Sequence, residues 1–184
     1  MLVKIFKNGV RTLSFFSLLL IALGSFGQMH PVANESSVHF VIHNFGFKTG
    51  GILAPPEGVI LFKPDDLAQS SFQVTIQSSS INTDNDSRDN HLKEEDYFDV
   101  KNYPLIRFTS SSIKATGKKD NYVATGTLTI KKTSRVVDIP FTAVVKGAGW
   151  QFTGELSLNR QDYGVGGSST ISNGLTVQIN VIAQ

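Results

Sequence analysis

The chain has 184 residues, of which 40% are hydrophobic and 17% are charged, and its formal net charge is +2. This composition is typical of one globular domain with a single core, so it excludes a disordered chain, and the weak net charge gives no basic surface for nucleic acid. Because there is no cysteine, disulfides, thiolate catalysis, zinc–thiolate sites, iron–sulfur clusters and a lipoprotein anchor are excluded as well.

The first 27 residues have the pattern of a secretory signal peptide. Three basic residues precede an apolar run from Leu13 to Leu23, and Ser25 and Gly27 place small residues where a signal peptidase reads them. The apolar run is shorter than the ~20 residues needed to span a bilayer. We therefore expect cleavage after Gly27, export to the periplasm or the extracellular space, and no membrane anchor. Residues 28–35 would be a flexible mature N-terminus, and residues 36–184 the folded domain.

Eight short runs of alternating apolar and polar residues follow, and this period of two predicts β-strands. In chain order they are residues 38–42, 60–62, 72–76, 106–112, 122–130, 137–145, 150–158 and 175–181. Eight antiparallel strands can close into a barrel that holds packed side chains or one small ligand. A sandwich of two four-stranded sheets would show the same alternation. Pairing of the last strand with the first leaves no open edge, so we favour an all-β, eight-stranded antiparallel barrel.

One short helix is predicted at residues ~87–97, a stretch without any β-branched residue. Asp86 and Ser87 are both favourable N-cap residues, and Asp86 and Asp89 have the spacing of a capping box. Leu92 is the only strongly apolar residue of this stretch. The helix can therefore bury only a narrow stripe, and we expect it to lie across one end of the barrel.

The polar residues show no spacing that predicts catalysis or metal binding. His39 and His43 share one face of a strand but lie roughly 13 Å apart at ~3.3 Å per residue, which is too far for one metal ion. No serine has the nucleophile-elbow pattern. The acidic cluster between Glu94 and Asp99 is typical of the solvated face of a surface helix. We therefore predict no catalytic residue, no metal and no other cofactor.

The segment "RDNHLKEEDYFDVKNYPLIRF" resembles the signature of the YceI-like family of exported lipid-binding proteins. Further segments resemble that family in the same order, namely "NFGFKTGGI", "FKPDDLAQSSFQVTI", "SINTDN", "YVATGTLTIKKTSRVVDIPF" and "LNRQDYGVGG". Together they cover essentially all of residues 36–183. The resemblance implies a lipocalin-like barrel whose long apolar interior binds an isoprenoid or another long-chain lipid outside the cytoplasm. It implies a binding protein, not an enzyme.

The inward face of the predicted strands supplies the candidate ligand-binding residues, because closing a barrel turns one face of every strand inwards. They are Phe40, Ile42, Phe72, Val74, Ile76, Phe108, Leu128, Phe141, Phe152, Leu156 and Val177. Small residues at Ala124, Gly126 and Gly154 lie on the same faces, and we expect them to mark where a ligand chain passes.

Two further points concern the polar residues that the resemblance includes. Arg88, Asp89 and His91 are candidates either for holding the helix in place, which we favour, or for meeting the polar head group of a ligand. Lys132 stands in the turn where the family usually has glycine, so the type of that turn is open.

The residues also leave a second function open. A barrel filled by its own phenylalanine side chains would be a structural or protein-interaction module, and lipid extraction would find nothing in it. The sequence does not decide between a monomer and a homodimer.

Overall fold

The computed structural model describes residues 27–167 and 171–184. Apart from Gly27, the predicted signal peptide lies outside the described residues, and so the cleavage site stays a prediction. The described part contains one α-helix, α1 (Asp86–Leu92). It also contains the strands β1 (Ser37–Asn44), β2 (Phe47–Leu53), β3 (Glu57–Leu61), β4 (Ser71–Gln77), β5 (Leu105–Ala115), β6 (Asn121–Ile130), β7 (Thr133–Lys146), β8 (Gly149–Asn159) and β9 (Ile171–Ala183).

All nine strands form one antiparallel sheet in the order β2-β1-β9-β8-β7-β6-β5-β4-β3, which curls into a half-barrel. The all-β, lipocalin-like prediction is confirmed, and β9 pairs with β1 as expected. Contrary to our expectation, this pairing does not leave the sheet without edges, because β2 and β3 lie at its two edges. The number of strands is nine and not eight, because β2 pairs with β1 on its other side. The sequence of β2, "FKTGGIL", hides this strand, since its two glycines interrupt the alternation.

Cross-strand packing explains why β2 forms in spite of its glycines. Phe40 of β1 is paired with Gly51 of β2, and a Cβ at Gly51 would lie 2.5 Å from the tip of the Phe40 ring. The ring therefore occupies the space that a side chain at position 51 would need. An aromatic side chain that covers a glycine on the neighbouring strand stabilises the pairing that the glycine alone would weaken.

Backbone contacts outside the strands bind the two edges, β2 and β3. Met29 exchanges hydrogen bonds with Ile60 of β3, while His30 exchanges them with Gln184 just after β9. On the other edge, Ile52 of β2 exchanges hydrogen bonds with Asn82. Residues 28–35, for which we expected a flexible chain, thus include a segment that joins β3 to the end of β9.

One end of the half-barrel is filled with aromatic side chains, and we call it the aromatic end. Phe62, only 4% exposed, lies at its centre, with ring centroids 5.1 Å from those of both Tyr122 and Trp150. The ring also contacts Phe72, Phe141 and Phe152 at centroid distances of 5.3 to 6.4 Å. Most of these pairs are edge-to-face, the arrangement that the quadrupoles of the rings favour.

The helix lies at the opposite end, which we call the helical end, and it is shorter than the predicted 87–97. Its N-cap is Asn85, whose side chain accepts a hydrogen bond from the Arg88 backbone N–H at 2.9 Å, and not Asp86 or Ser87. After Leu92 the chain turns back, because the Phe98 N–H donates to the Leu92 carbonyl. Asp86 and Asp89 do not form the capping box that their spacing suggests, because the Asp89 side chain binds a residue outside the helix.

The turn between β6 and β7 contains two residues, and the positive φ, 52°, belongs to Lys131 and not to Lys132. A lysine in this left-handed region needs support from the surrounding structure. The Lys131 ammonium donates to the carbonyls of Glu95 and Gly164 at 2.8 and 3.1 Å. The turn therefore also ties the helical end to the loop after β8.

Candidate functional site

The concave face of the curled sheet encloses a cavity of about 290 Å³ with an almost wholly apolar lining. All eleven residues predicted as tunnel walls line it, namely Phe40, Ile42, Phe72, Val74, Ile76, Phe108, Leu128, Phe141, Phe152, Leu156 and Val177. Their common face follows from the alternation of side chains along each strand. That these residues contact a ligand stays a prediction.

Part of the lining comes from segments that strand alternation does not identify. Ile81, Leu92, Tyr97, Phe98 and Val165 lie outside the strands and still face the cavity. Leu92 is the only strongly apolar residue of the predicted helix, so the sequence indicates that this side chain faces the interior. The other four depend on how the loops fold over the helical end.

The three small residues differ in their positions. Ala124 and Gly154 line the cavity, but Gly126 does not. A Cβ at Gly126 would lie 2.5 Å from the Thr109 carbonyl oxygen and 2.7 Å from the Ser110 Cα, next to the bulge of β5. Gly126 therefore permits close approach of β5, and our expectation that a ligand chain passes there is wrong.

The cavity has a closed and an open end. Phe72, Phe141 and Phe152 form its floor, and they belong to the same aromatic end that Phe62 holds together. At the helical end, the lining includes the exposed Arg88 and the half-buried Leu175. The cavity thus meets solvent between α1, the β1–β2 hairpin and the start of β9.

A compact polar cluster holds α1 against the mouth of the cavity. The Asp89 carboxylate, 7% exposed, accepts hydrogen bonds from the Thr83 backbone N–H at 2.9 Å and from the Thr83 hydroxyl. The Arg88 guanidinium donates to the same hydroxyl at 2.7 Å and to the Thr83 carbonyl at 2.6 Å. Both side chains therefore bind the segment before the helix, and Arg88 also lines the cavity.

His91 lies apart from this cluster. Its Nδ1 is 3.0 Å from Glu94 Oε2, its side chain is 57% exposed, and its ring packs edge-on against Tyr97. It does not line the cavity. Among the three polar candidates, only Arg88 is therefore placed where it could meet the polar end of a ligand.

Arg160 is a residue of the mouth that the sequence did not reveal. It lines the cavity and is 7% exposed. Its guanidinium donates to the carbonyls of Val165 at 2.8 Å, Ile171 at 3.2 Å and Ser172 at 3.1 Å. One planar group with five N–H donors can hold several carbonyls at once. Arg160 thus fastens the loop after β8 to the start of β9.

Within residues 27–167 and 171–184, no cluster of three or more His, Asp or Glu side chains could hold a metal ion. Over the same residues, no helix has the length and apolar character needed to cross a bilayer.

The sequence has clear relatives. The model of the YceI-like domain matches residues 30–183. The chain belongs to the YceI-like family. A UPF0312 protein of Photorhabdus laumondii is 30% identical to this YceI-like chain over 164 residues, which cover 83% of this chain and 84% of the relative. Protein YceI of Escherichia coli O157:H7 is 27% identical and covers 83% and 85% of the two chains.

Solved structures agree with this assignment. BcnA of Burkholderia cenocepacia superposes on this YceI-like chain with a TM-score of 0.79 at 28% identity, covering 84% of this chain and 99% of BcnA. A polyisoprenoid binding domain from Saccharophagus degradans has a TM-score of 0.70 at 16% identity, covering 85% and 97%. At that identity the second similarity shows the fold alone.

Proposed function

We propose that this YceI-like protein binds one long-chain hydrophobic molecule, an isoprenoid or another lipid, and carries or sequesters it outside the cytoplasm. The observation that supports the proposal is the apolar cavity, closed by aromatic rings at one end and open at the other. A blind apolar pocket favours a chain-like molecule that enters by its apolar end.

The lining of the cavity sets the orientation of such a ligand. Each CH₂ group that leaves water for an apolar surface contributes ~0.8 kcal/mol, so a long chain gains most by filling the depth of the cavity. The polar side chains of the lining lie at the helical end, where Asn44, Thr49, Thr83, Arg88 and Arg160 contribute. The polar end of the ligand would therefore stay at the mouth, near Arg88.

The isoprenoid assignment is the finer part of the proposal. It is supported by the fold shared with the Saccharophagus degradans domain, which is described as polyisoprenoid binding. The cavity itself favours any flexible apolar chain, because its walls are aliphatic and aromatic side chains without a repeated polar contact.

The extracytoplasmic location is supported by the basic and apolar pattern of residues 1–27. Intact mass measurement of the protein from the periplasm or the medium tests it. We expect the mass of a chain that begins at Gln28. Recovery of protein that retains the apolar run from Leu13 to Leu23 would contradict the proposal.

Extraction of purified protein with organic solvent, followed by mass spectrometry, tests the binding proposal. We expect a long-chain hydrophobic molecule in the wild type and uptake of a fluorescently labelled fatty acid by delipidated protein. Val177→Phe should abolish both, because the added ring fills the cavity. Overpacking of this kind typically costs ~1–3 kcal/mol, so the fold should survive.

Thr176→Phe is the matched control, since it adds a ring of similar size on the opposite face of β9. This variant should keep its lipid. If wild-type protein contains no lipid and takes up none after delipidation, the carrier proposal fails. The filled aromatic end would then favour the second candidate, a structural or protein-interaction module.

A further inference from the structure

The hairpin between β1 and β2 exposes two aromatic rings at its tip, which comprises residues 45–48. Phe45 is 72% exposed and Phe47 is 77% exposed. Two exposed phenylalanines within three residues are unusual in a protein whose other aromatic residues are mostly packed inside, and exposed apolar patches commonly mark an interaction site.

The backbone of the tip makes the first of these rings more unusual. Phe45 and Gly46 form a two-residue turn in which both φ angles are positive, at 50° and 81°. Such a turn favours Asn-Gly or Asp-Gly, and a bulky side chain in the left-handed region is strained. Strain of this kind, at an exposed position with no packing to compensate for it, is typical of a residue kept for function.

The charged side chains of the β1–β2 hairpin itself have one sign. Residues 37–56 include Lys48, His39 and His43 but neither Asp nor Glu. Lys48 is exposed and lies opposite the exposed His43 across the hairpin. The acidic residues of the helical end belong to other segments, namely Asp84 to Asp99, which follows the pairing of Asn82 with Ile52 of β2, and Asp162 after β8. The tip therefore combines two aromatic rings with a cation and no anion.

The tip also stands at the mouth of the cavity. Asn44 and Thr49, which lie just inside the tip on the two strands, line the cavity. Phe47 is paired with Asn44, so it lies on the same face of the hairpin as the lining residues and extends that face beyond the rim. Anything that binds the tip is held against the opening.

We propose that the hairpin tip inserts Phe45 and Phe47 into the headgroup region of an anionic lipid bilayer and so turns the mouth of the cavity towards the membrane. The inference rests on the proposed function, because a carrier of lipids needs access to a membrane. Aromatic rings gain free energy in the interfacial layer, and a neighbouring lysine is attracted by anionic headgroups. Insertion into the bilayer would also account for the strain at Phe45, because the turn places its ring at the most protruding point of the hairpin.

Flotation with vesicles of phosphatidylethanolamine and phosphatidylglycerol tests the proposal on the mature protein. We expect the wild type to float with these vesicles. The double variant Phe45→Asn with Phe47→Ser should bind them at least roughly tenfold more weakly, since burial of each phenylalanine is worth about a factor of ten or more. Its melting temperature should stay equal or rise, because Asn-Gly suits the turn better than Phe-Gly.

Two comparisons sharpen the flotation experiment. Val136→Asn with Val145→Ser is the matched control, since these side chains are 72% and 71% exposed but lie on β7. It should float like the wild type. The Lys48→Gln variant should still bind vesicles, but its preference for anionic over phosphatidylcholine vesicles should be about fivefold smaller than that of the wild type. The reason is that a juxtamembrane lysine contributes ~1 kcal/mol to binding of an anionic surface.

Uptake of the labelled fatty acid from solution separates this inference from the proposed function. The tip variant should take up the soluble probe like the wild type, while Val177→Phe should float normally and take up none. Flotation of the tip variant at wild-type level overturns the inference, and so does a wild type that fails to float. If the wild type is instead a dimer that the tip variant converts to monomer, the tip is a self-association surface and the membrane proposal is wrong.

Discussion

The two ends of the cavity are built from different kinds of interaction. At the aromatic end, Phe62 brings together rings from the four strands β4, β6, β7 and β8. At the helical end, Asp89 and Arg88 bind Thr83, five or six residues away, and Arg160 binds carbonyls up to twelve residues away. One end is joined by the apolar packing of rings, and the other by hydrogen bonds of polar side chains, which include the longer-range bonds from Lys131 to Glu95 and Gly164.

This difference assigns the stability of the fold to the aromatic end and the entry of a ligand to the helical end. Packing of rings from several strands is lost only when the strands separate, so the aromatic end should open with the whole fold. Hydrogen bonds of a short helix and a loop can break locally without unfolding the sheet. The helical end is therefore the end at which a ligand can enter, and the following predictions test that division.

The largest effect is expected for Phe62→Ala, at the centre of the aromatic end. Loss of a buried phenylalanine ring typically lowers the free energy of unfolding by ~3–5 kcal/mol, and this ring contacts five others. Urea denaturation followed by circular dichroism measures it. Phe47→Ala, at an exposed ring, should change the same quantity by less than ~0.5 kcal/mol. Equal effects of the two variants would contradict the assignment of stability to the aromatic end.

Arg160→Lys should have a smaller effect and lower the free energy of unfolding by about 2 kcal/mol. Lysine keeps the charge but cannot bind several carbonyls in one plane. Hydrogen exchange at residues 165–167 and 171–172 should become faster, while exchange in β6 and β7 stays slow. Arg135→Lys is the control, since Arg135 is half-exposed and binds a single residue, Asp162, with its Nε 2.9 Å from the carbonyl oxygen and Nη2 3.8 Å from the carboxylate. Faster exchange throughout the sheet would show that the two ends are not independent.

Asp89→Ala should lower the free energy of unfolding by about 1–2 kcal/mol, with or without bound lipid, because the Thr83 N–H loses its buried acceptor. Thermal denaturation of delipidated and lipid-loaded protein measures it. Asp86→Ala, in the exposed first turn of α1, should have a smaller effect. If Asp89→Ala abolished lipid binding and left stability unchanged, the head-group role would be correct and the pinning role wrong.

The smallest effect concerns alkaline pH. Burial raises the pKa of Tyr163, with Asp162 adding to this effect and Arg135 opposing it, and burial also raises the pKa of Tyr122. The unfolded phenols ionise near pH ~10 while the folded ones stay protonated, so the free energy of unfolding should fall as the pH rises above about 10. Tyr163→Phe and Tyr122→Phe should each make that fall shallower in urea denaturation. A fall of unchanged steepness in both variants would contradict the prediction.

Strand alternation made the cavity wall predictable. In β4, for example, Phe72, Val74 and Ile76 alternate with polar residues, and all three line the cavity. The aromatic end was not predictable in the same way, since the period of a strand tells which face a ring is on but not whether it fills the interior. Phe72 lines the cavity, whereas Phe62 closes it, and only the curvature of the sheet separates them.

Local sequence therefore determined the all-β fold, the short helix and the face of each strand, because side-chain direction in a strand alternates irrespective of what lies across from it. The tertiary structure decided the rest. Gly51 lies in a strand because the Phe40 ring covers it, Gly126 marks a close contact with β5 and not a passage, and Arg160 reaches the mouth because β9 returns beside β8. Each of these depends on residues brought together by pairing and curvature, which no local pattern records.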